Sequence, residues 1–178
     1  MQTVKVHDKE FLKFIDANKL NIANEILASK LSADYEGKAP LFLCVLNGSF
    51  MFASDLLKHF KGNCEISFIK LSSYQGTQTT EEVKTVIGLN EEIKGRDVII
   101  LEDIIDSGIT ISHLVKDLAK YEPVSLKVVT LLLKPDALRT NIKPDYVGLE
   151  IPNDFIIGYG LDYNGYGRNL PDIYKIKE

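Results

Sequence analysis

Cysteine is scarce in this chain: 2 of 178 residues, Cys44 inside the apolar run LFLCVL and Cys64. Two isolated thiols make neither a disulfide framework nor a zinc-ligand cluster. The 3 histidines, His7, His59 and His113, have no second ligand at metal spacing, so no histidine chemistry is expected. Cationic excess is also missing. Lys and Arg number 21 against 25 Asp and Glu, a net charge of −4, so no overall field attracts a nucleic-acid backbone or an acidic membrane. No apolar run approaches the roughly 20 residues that span a bilayer. The N-terminal stretch lacks the charged start, apolar centre and small-residue cleavage pattern of a secretory signal. A cytoplasmic protein with no membrane and no nucleic-acid partner is expected. Repeats, low-complexity tracts and linkers are absent, and 178 residues are too few for two ordinary domains. The expectation is a single domain over 1–178, with its core at about 38–135 and a cap formed by N-terminal and 145–178 segments.

What the chain does contain is buried strand. Leu41 to Leu46, Val98 to Leu101 and Leu126 to Leu133 are almost continuously apolar, the pattern of parallel strands covered by helices on both faces. Between the last two, Ile111, Leu114, Val115, Leu118 and Ala119 recur at helical spacing over Thr110 to Tyr121, completing a βαβ unit. A second helix is expected from Ser49 to Phe60, with Phe50, Ala53, Leu57 and Phe60 on one side and Ser49 as its cap. Ile66 to Ser72 and Val83 to Gly88 read as strands joined by SYQGTQTTEE, a polar stretch too long for a tight hairpin and expected to be a flexible flap. The tail from Asp145 carries two strand-like runs and Gly-Tyr-Gly-type turns, which predict a small antiparallel cap, or hood. The fold class is α/β, a mainly parallel central sheet flanked by helices.

The segment that carries chemistry is Val98 to Thr110, VIILEDIIDSGIT. A buried strand runs into Glu102, Asp103 and Asp106, then into a Ser-Gly-x-Thr turn that opens the amphipathic helix. Open α/β sheets bind ligands at such carboxyl ends. Ser107, Gly108 and Thr110 suit a loop whose amides and hydroxyls wrap a phosphate at a helix N-terminus. Three carboxylates would repel that phosphate unless ribose hydroxyls or a divalent cation intervened, which points to a sugar phosphate with Mg2+. The plain alternative is that the acids are solvated and Asp106 or Ser107 merely caps the helix.

This run resembles the signature of the phosphoribosyltransferases: a four-residue apolar strand, two acids, two aliphatics, Asp, Ser or Thr, Gly, any residue, Thr. Leu46-Asn47-Gly48-Ser49, Ser72-Ser73-Tyr74, Lys134 and FIIGYGLDYNGYGRNL narrow the resemblance to the hypoxanthine and hypoxanthine-guanine branch. The resemblance implies transfer of a 6-oxopurine onto 5-phosphoribosyl 1-pyrophosphate, giving IMP or GMP and pyrophosphate, in a homodimer or homotetramer. Residue by residue it implies that Asp106 is the general base near N7 of the purine, with Ser107, Gly108, Ile109 and Thr110 around the 5′-phosphate. Glu102 and Asp103 match the pair that holds the ribose hydroxyls, directly or through Mg2+. Lys134 resembles the purine-reading lysine, Phe155 the stacking ring, and Ile156 the residue whose backbone meets the base edge. Asp162 matches an acid near a second Mg2+ and Arg168 the pyrophosphate-side arginine. Leu46, Asn47 and Gly48 form the pyrophosphate loop, while Ser73 and Tyr74 open the flap.

Taken as bare residues, several of these have ordinary readings. Lys134 would be a solvated lysine, Phe155 a core aromatic, and Asp162 with Arg168 a surface ion pair. One departure from the family is Asn47, where Lys or Arg is usual. The loop's backbone role survives that change, and the sequence leaves open whether the Leu46–Asn47 peptide is cis, as in relatives. Asn47-Gly48-Ser49 matches a glycosylation acceptor by accident. Gly158-Tyr159-Gly160 is not a dinucleotide fingerprint, since Tyr163 occupies the third glycine position. A competing reading is a non-catalytic regulator that senses the sugar donor and binds nucleic acid, but Lys and Arg are scattered rather than clustered.

Overall fold

The structure is a computed structural model that describes residues 2–73, 83–87 and 91–177. The expected flap, Tyr74 included, lies outside the described residues. The chain begins with a hairpin, β1 (Thr3–Val6) and β2 (Lys9–Ile15), followed by α1 (Ala17–Asp34). Then come β3 (Leu41–Leu46), α2 (Phe50–His59), β4 (Glu65–Ser73) and β5 (Val83–Ile87). The second half holds β6 (Asp97–Ile105), α3 (Ile109–Ala119), β7 (Ser125–Leu133), β8 (Tyr146–Glu150), β9 (Ile156–Ile157) and β10 (Ile173–Ile176).

The large sheet has the order β5-β4-β3-β6-β7-β8, parallel throughout except for β5, which pairs antiparallel with β4. Both faces of its central strands are covered, which is why their sequences are unbroken apolar runs. On one face Phe42, Cys44, Ile99 and Leu101 pack with Leu20, Leu27 and Leu31 of α1 and with Phe52 and Leu56 of α2. On the other, Leu41, Leu43, Val98 and Ile100 pack with Ile111, Leu114 and Leu118 of α3. Each fully buried leucine or isoleucine contributes about 1.5–3 kcal/mol. The small sheet, β1-β2-β10-β9, is antiparallel and closes over Phe11, Ile157 and Tyr174. It is the expected hood, assembled from the two ends of the chain.

Five details differ from the sequence expectation. Tyr146–Glu150, the first strand-like run of the tail, is not in the hood but adds to the large sheet beside β7, because its residues pair in parallel register from Val129↔Tyr146 to Leu133↔Glu150. Strand β6 runs on to Ile105, so Glu102 and Asp103 lie within the strand rather than after it. The N-terminal segment, expected only in the cap, also contributes an 18-residue helix whose Leu20, Leu27 and Leu31 pack into the core of the large sheet. Asp16 caps α1 by accepting from Lys19 N at 2.9 Å, and Asp172 accepts from Ala17 N at 2.8 Å. Helix α2 buries Phe52, Ala53 and Leu56, whereas Phe50 is 44% exposed. Its first turn reads FMF, so periodicity could not choose which phenylalanine faces inward. Ser49 precedes α2 but makes no capping bond; its Oγ is buried without a partner.

Candidate active site

Strands β3, β6 and β7 are parallel neighbours, so their carboxyl ends open on one edge of the sheet. The register there decides which side chains meet. Ile105 pairs with Leu133, so the next residue of each strand, Asp106 and Lys134, leaves the sheet side by side. Lys134 Nζ lies 2.9 Å from Asp106 Oδ2, the lysine side chain 7% exposed and the aspartate 52%. A buried ammonium needs such a partner. Leu133 O also accepts from Ile151 N at 2.9 Å, which carries the chain after β8 along the same edge toward Phe155 and Ile156.

Beyond Asp106 the backbone turns into α3 through Gly108, at φ +77 and with no side-chain cap. A Cβ at Gly108 would meet Thr140 Oγ1 and Ile142 Cγ2, so the left-handed turn and the close approach both require glycine. Ser107 Oγ accepts from Ile109 N at a long 3.4 Å, and Ser107 O accepts from Arg139 N at 2.9 Å. Neither Asp106 nor Ser107 is the helix cap. The N-terminal amide dipoles of α3, from Ile109 and Thr110, therefore face this loop, a ready anion site.

On the adjoining strand, Asp103 is buried and Glu102 Oε2 is sealed from solvent with no hydrogen-bond partner. Burial, and then the neighbouring charge of Asp103, push the Glu102 carboxyl well above its ordinary range. Burial likewise pushes Asp103 up to about 6, against the lowering effect of its own backbone amide, of a hydrogen bond shared with the Glu102 carboxyl, of the Ile104 amide and of the Arg168 charge. An orphaned carboxylate oxygen beside a second carboxylate is a hard donor set short of positive charge. It fits a divalent cation such as Mg2+, which takes few protein carboxylates and completes its shell with water and substrate oxygens. Among the described residues no group of three or more acids, histidines or cysteines is arranged as a full metal cage.

The loop after β3 lies against this pair. A methyl group at Gly48 would overlap the Asp103 carboxylate, and one at Gly160 (φ +99) would overlap the Gly48 carbonyl. The Leu46–Asn47 peptide is cis. From the other side, Arg168 reaches in: it donates to Gly160 O at 2.7 Å and pairs with Asp162 Oδ1 at 2.6 Å. Asp162 Oδ2 accepts from Gly165 N at 2.7 Å, so both oxygens of Asp162 are engaged within its own loop. Ile156 is buried in β9 opposite Lys175 of β10. Phe155 is 46% exposed, its ring backed by Tyr163 at 5.9 Å edge-on and by Phe11 at 6.3 Å, which leaves part of the ring open. Ser73 ends β4 opposite Val83.

Two features escaped the sequence reading: the Lys134–Asp106 pair and the stacked approach of Gly160, Gly48 and Asp103; the Asp162–Arg168 ion pair was among its ordinary readings. The first needs the β6–β7 register, and no local pattern encodes that. The glycines in Leu46-Asn47-Gly48-Ser49 and GYG were the available signal for the second.

Comparison with known proteins shows the family and the overall fold. A family model described as "Phosphoribosyl transferase domain" matches residues 14–164. The chain is 45% identical over 152 residues to a hypoxanthine-guanine phosphoribosyltransferase of Lactococcus lactis, covering 85% of this chain and 82% of that one. Among solved structures, a hypoxanthine-guanine phosphoribosyltransferase of Bacillus anthracis superposes with TM-score 0.88 at 40% identity, over 93% of this chain and 98% of that one. A hypoxanthine phosphoribosyltransferase of Trypanosoma cruzi in complex with the product IMP does so with TM-score 0.88 at 32% identity, over 98% and 97%.

Proposed function

The chain belongs to the phosphoribosyl transferase family, and from that premise we propose that it joins hypoxanthine or guanine to 5-phosphoribosyl 1-pyrophosphate, forming IMP or GMP and releasing pyrophosphate. The observation that carries the reading is the ion pair of a buried Lys134 with Asp106, set beside an uncapped helix start and a charge-starved carboxylate pair. The relatives' names and the IMP complex support the same substrates.

In this reading Lys134 selects the base. Its ammonium has three donors, so it can keep Asp106 and still donate to an oxygen at C6 of hypoxanthine or guanine. Adenine presents an amino donor there and would leave a buried cation facing another donor. Phe155 stacks on the ring and the Ile156 backbone meets its edge. Asp106, half exposed beside Lys134, accepts the proton that the purine loses as its nitrogen bonds to C1 of the ribose. Ser107, Gly108, Ile109 and Thr110 hold the 5′-phosphate at the start of α3. Glu102 and Asp103 hold the ribose hydroxyls and Mg2+, which when bound supplies positive charge against the donor's pyrophosphate. Arg168 and the Leu46, Asn47 and Gly48 loop receive that pyrophosphate as an oxocarbenium-like ribose develops. A second cation at Asp162 would have to compete with Arg168 and Gly165 N.

The same reading makes the protein a cytoplasmic purine-salvage transferase working as a homodimer or homotetramer. It is tested by mixing the protein with Mg2+, the sugar donor and each base while following the purine ultraviolet spectrum. Turnover with hypoxanthine or guanine and none with adenine is expected; no turnover with either 6-oxopurine overturns the proposal.

A further inference from the structure

Tyr159 sits at the joint between the hood and the sheet domain, and no role has yet fallen to it. It is 4% exposed and adopts φ +50, a left-handed conformation that a tyrosine takes only when its surroundings compel it. Its hydroxyl donates to Asp55 Oδ2 at 2.6 Å and accepts from Asn24 Nδ2 at 2.8 Å. Asn24 is fully buried in α1, and Asp55 lies on α2, its other oxygen bonded to Lys58 at 2.9 Å. One hydroxyl thus ties the tail of the chain to two helices.

The neighbours of Tyr159 are parts of the candidate site. Helix α2 is the helix that leaves the Leu46-Asn47-Gly48-Ser49 loop. The next residue after Tyr159 is Gly160, whose Cα lies against the Gly48 carbonyl, while Gly48 lies against the Asp103 carboxylate. Gly160 also exchanges two bonds with Arg168: Gly160 N donates to Arg168 O at 2.9 Å, and the guanidinium donates to Gly160 O at 2.7 Å. The hydroxyl therefore holds the backbone whose carbonyl aims Arg168. The purine-side residues are held mostly elsewhere: Phe155 meets the Tyr163 ring of this loop only edge-on at 5.9 Å and is also backed by Phe11 of β2. Ile156 and Ile157 pair with Lys175 and Tyr174 of β10, and Lys134 follows β7.

We propose that Tyr159, through its hydroxyl bonds to Asp55 and Asn24, is a positioning residue that sets the loop carrying Gly160, Asp162 and Arg168 against the Gly48 loop and Asp103. It thereby tunes affinity for the pyrophosphate-bearing donor and not for the purine. The proposal rests on the transferase reading for its substrates, but the anchoring itself does not. Removing the hydroxyl leaves the ring, and so the packing, in place, and takes away one charge-assisted and one neutral bond. That loss corresponds to roughly a tenfold change in an equilibrium that depends on the docked loop.

The test compares Tyr159→Phe, Asp55→Asn and Asp55→Ala with the unmodified protein in two readouts. In steady-state kinetics, Tyr159→Phe and Asp55→Ala should raise KM for 5-phosphoribosyl 1-pyrophosphate by roughly tenfold while KM for hypoxanthine moves less than about twofold. Asp55→Asn, which keeps an oxygen to accept the hydroxyl, should stay near the unmodified value. In amide hydrogen exchange, residues 160–167 should open roughly tenfold faster in Tyr159→Phe than in the unmodified protein, with β6 and β7 unchanged. An unchanged donor KM, a purine KM that rises equally, or Asp55→Asn behaving like Asp55→Ala overturns the positioning role. Unaltered exchange overturns the anchor itself. If the unmodified protein turns over no 6-oxopurine, the transferase reading has failed, and the exchange experiment still decides the anchor.

Discussion

The buried carboxylates of β6 make the ligand-free protein pH-sensitive in an unusual direction. Asp103 carries its proton up to about pH 6 when folded, against an ordinary value of 3.8, and Glu102 moves the same way. As pH rises from 3.8, the unfolded chain loses the Asp103 proton while the folded chain keeps it, so the folded state binds more protons and stability falls. The Asp103 part of the fall begins near 4 and is complete above 6, and Glu102, pushed well above its ordinary range, extends the fall to higher pH. At about 1.36 kcal/mol for each pH unit, the gap between 3.8 and about 6 is worth about 3 kcal/mol. For a chain of this size that is roughly 6–12 °C in melting temperature.

Acids with lowered values, such as Asp172 bonded to Lys13 at 2.6 Å, contribute in the opposite sense. Their stabilisation is already complete above the ordinary carboxylate range. A calorimetric series from pH 5 to pH 8 in a chelating buffer should therefore show the melting temperature falling. Asp103→Asn should flatten the series and be the more stable protein at pH 8, while losing transfer activity. Mg2+ should restore more stability at pH 8 than at pH 5, because it compensates the ionised pair. A flat series for the unmodified protein, or an equal fall in Asp103→Asn, would refute the argument.

Replacing Lys134 with Met leaves Asp106 half exposed and solvated rather than buried and unpaired. The melting temperature should stay level or rise, by up to about 1–4 kcal/mol of stability, while KM for hypoxanthine increases at least tenfold; a protein that unfolds, or binds hypoxanthine unchanged, contradicts this. Asp106→Asn should lower kcat by roughly 100-fold or more with little change in donor KM, since it removes proton acceptance and keeps the shape. Gly48→Ala puts a methyl group into the Asp103 carboxylate, so activity should fall steeply while thermal unfolding reveals a loss of only about 1–3 kcal/mol. A fully active Gly48→Ala protein would show that the loop does not need to lie this close.

The sequence alone determined the parallel sheet and where in it the candidate site is read. Leu41 to Leu46, Val98 to Leu101 and Leu126 to Leu133 are apolar on both sides because both faces of a parallel sheet are covered, and that signal is local. The run from Glu102 to Thr110 is local too, because a phosphate loop is built from consecutive amides at a helix start. Tertiary structure decided what required register or the meeting of distant segments. Asp106 meets Lys134 only because Ile105 pairs with Leu133. Tyr146–Glu150 joined the large sheet rather than the hood because β7 offered an open edge in parallel register, and a five-residue strand carries no mark of its partner. The left-handed Tyr159 and the contact of Gly160 with Gly48 arise from packing the two ends of the chain together. Backbone approaches of that kind depend on distances between elements far apart in sequence, which residue patterns do not encode.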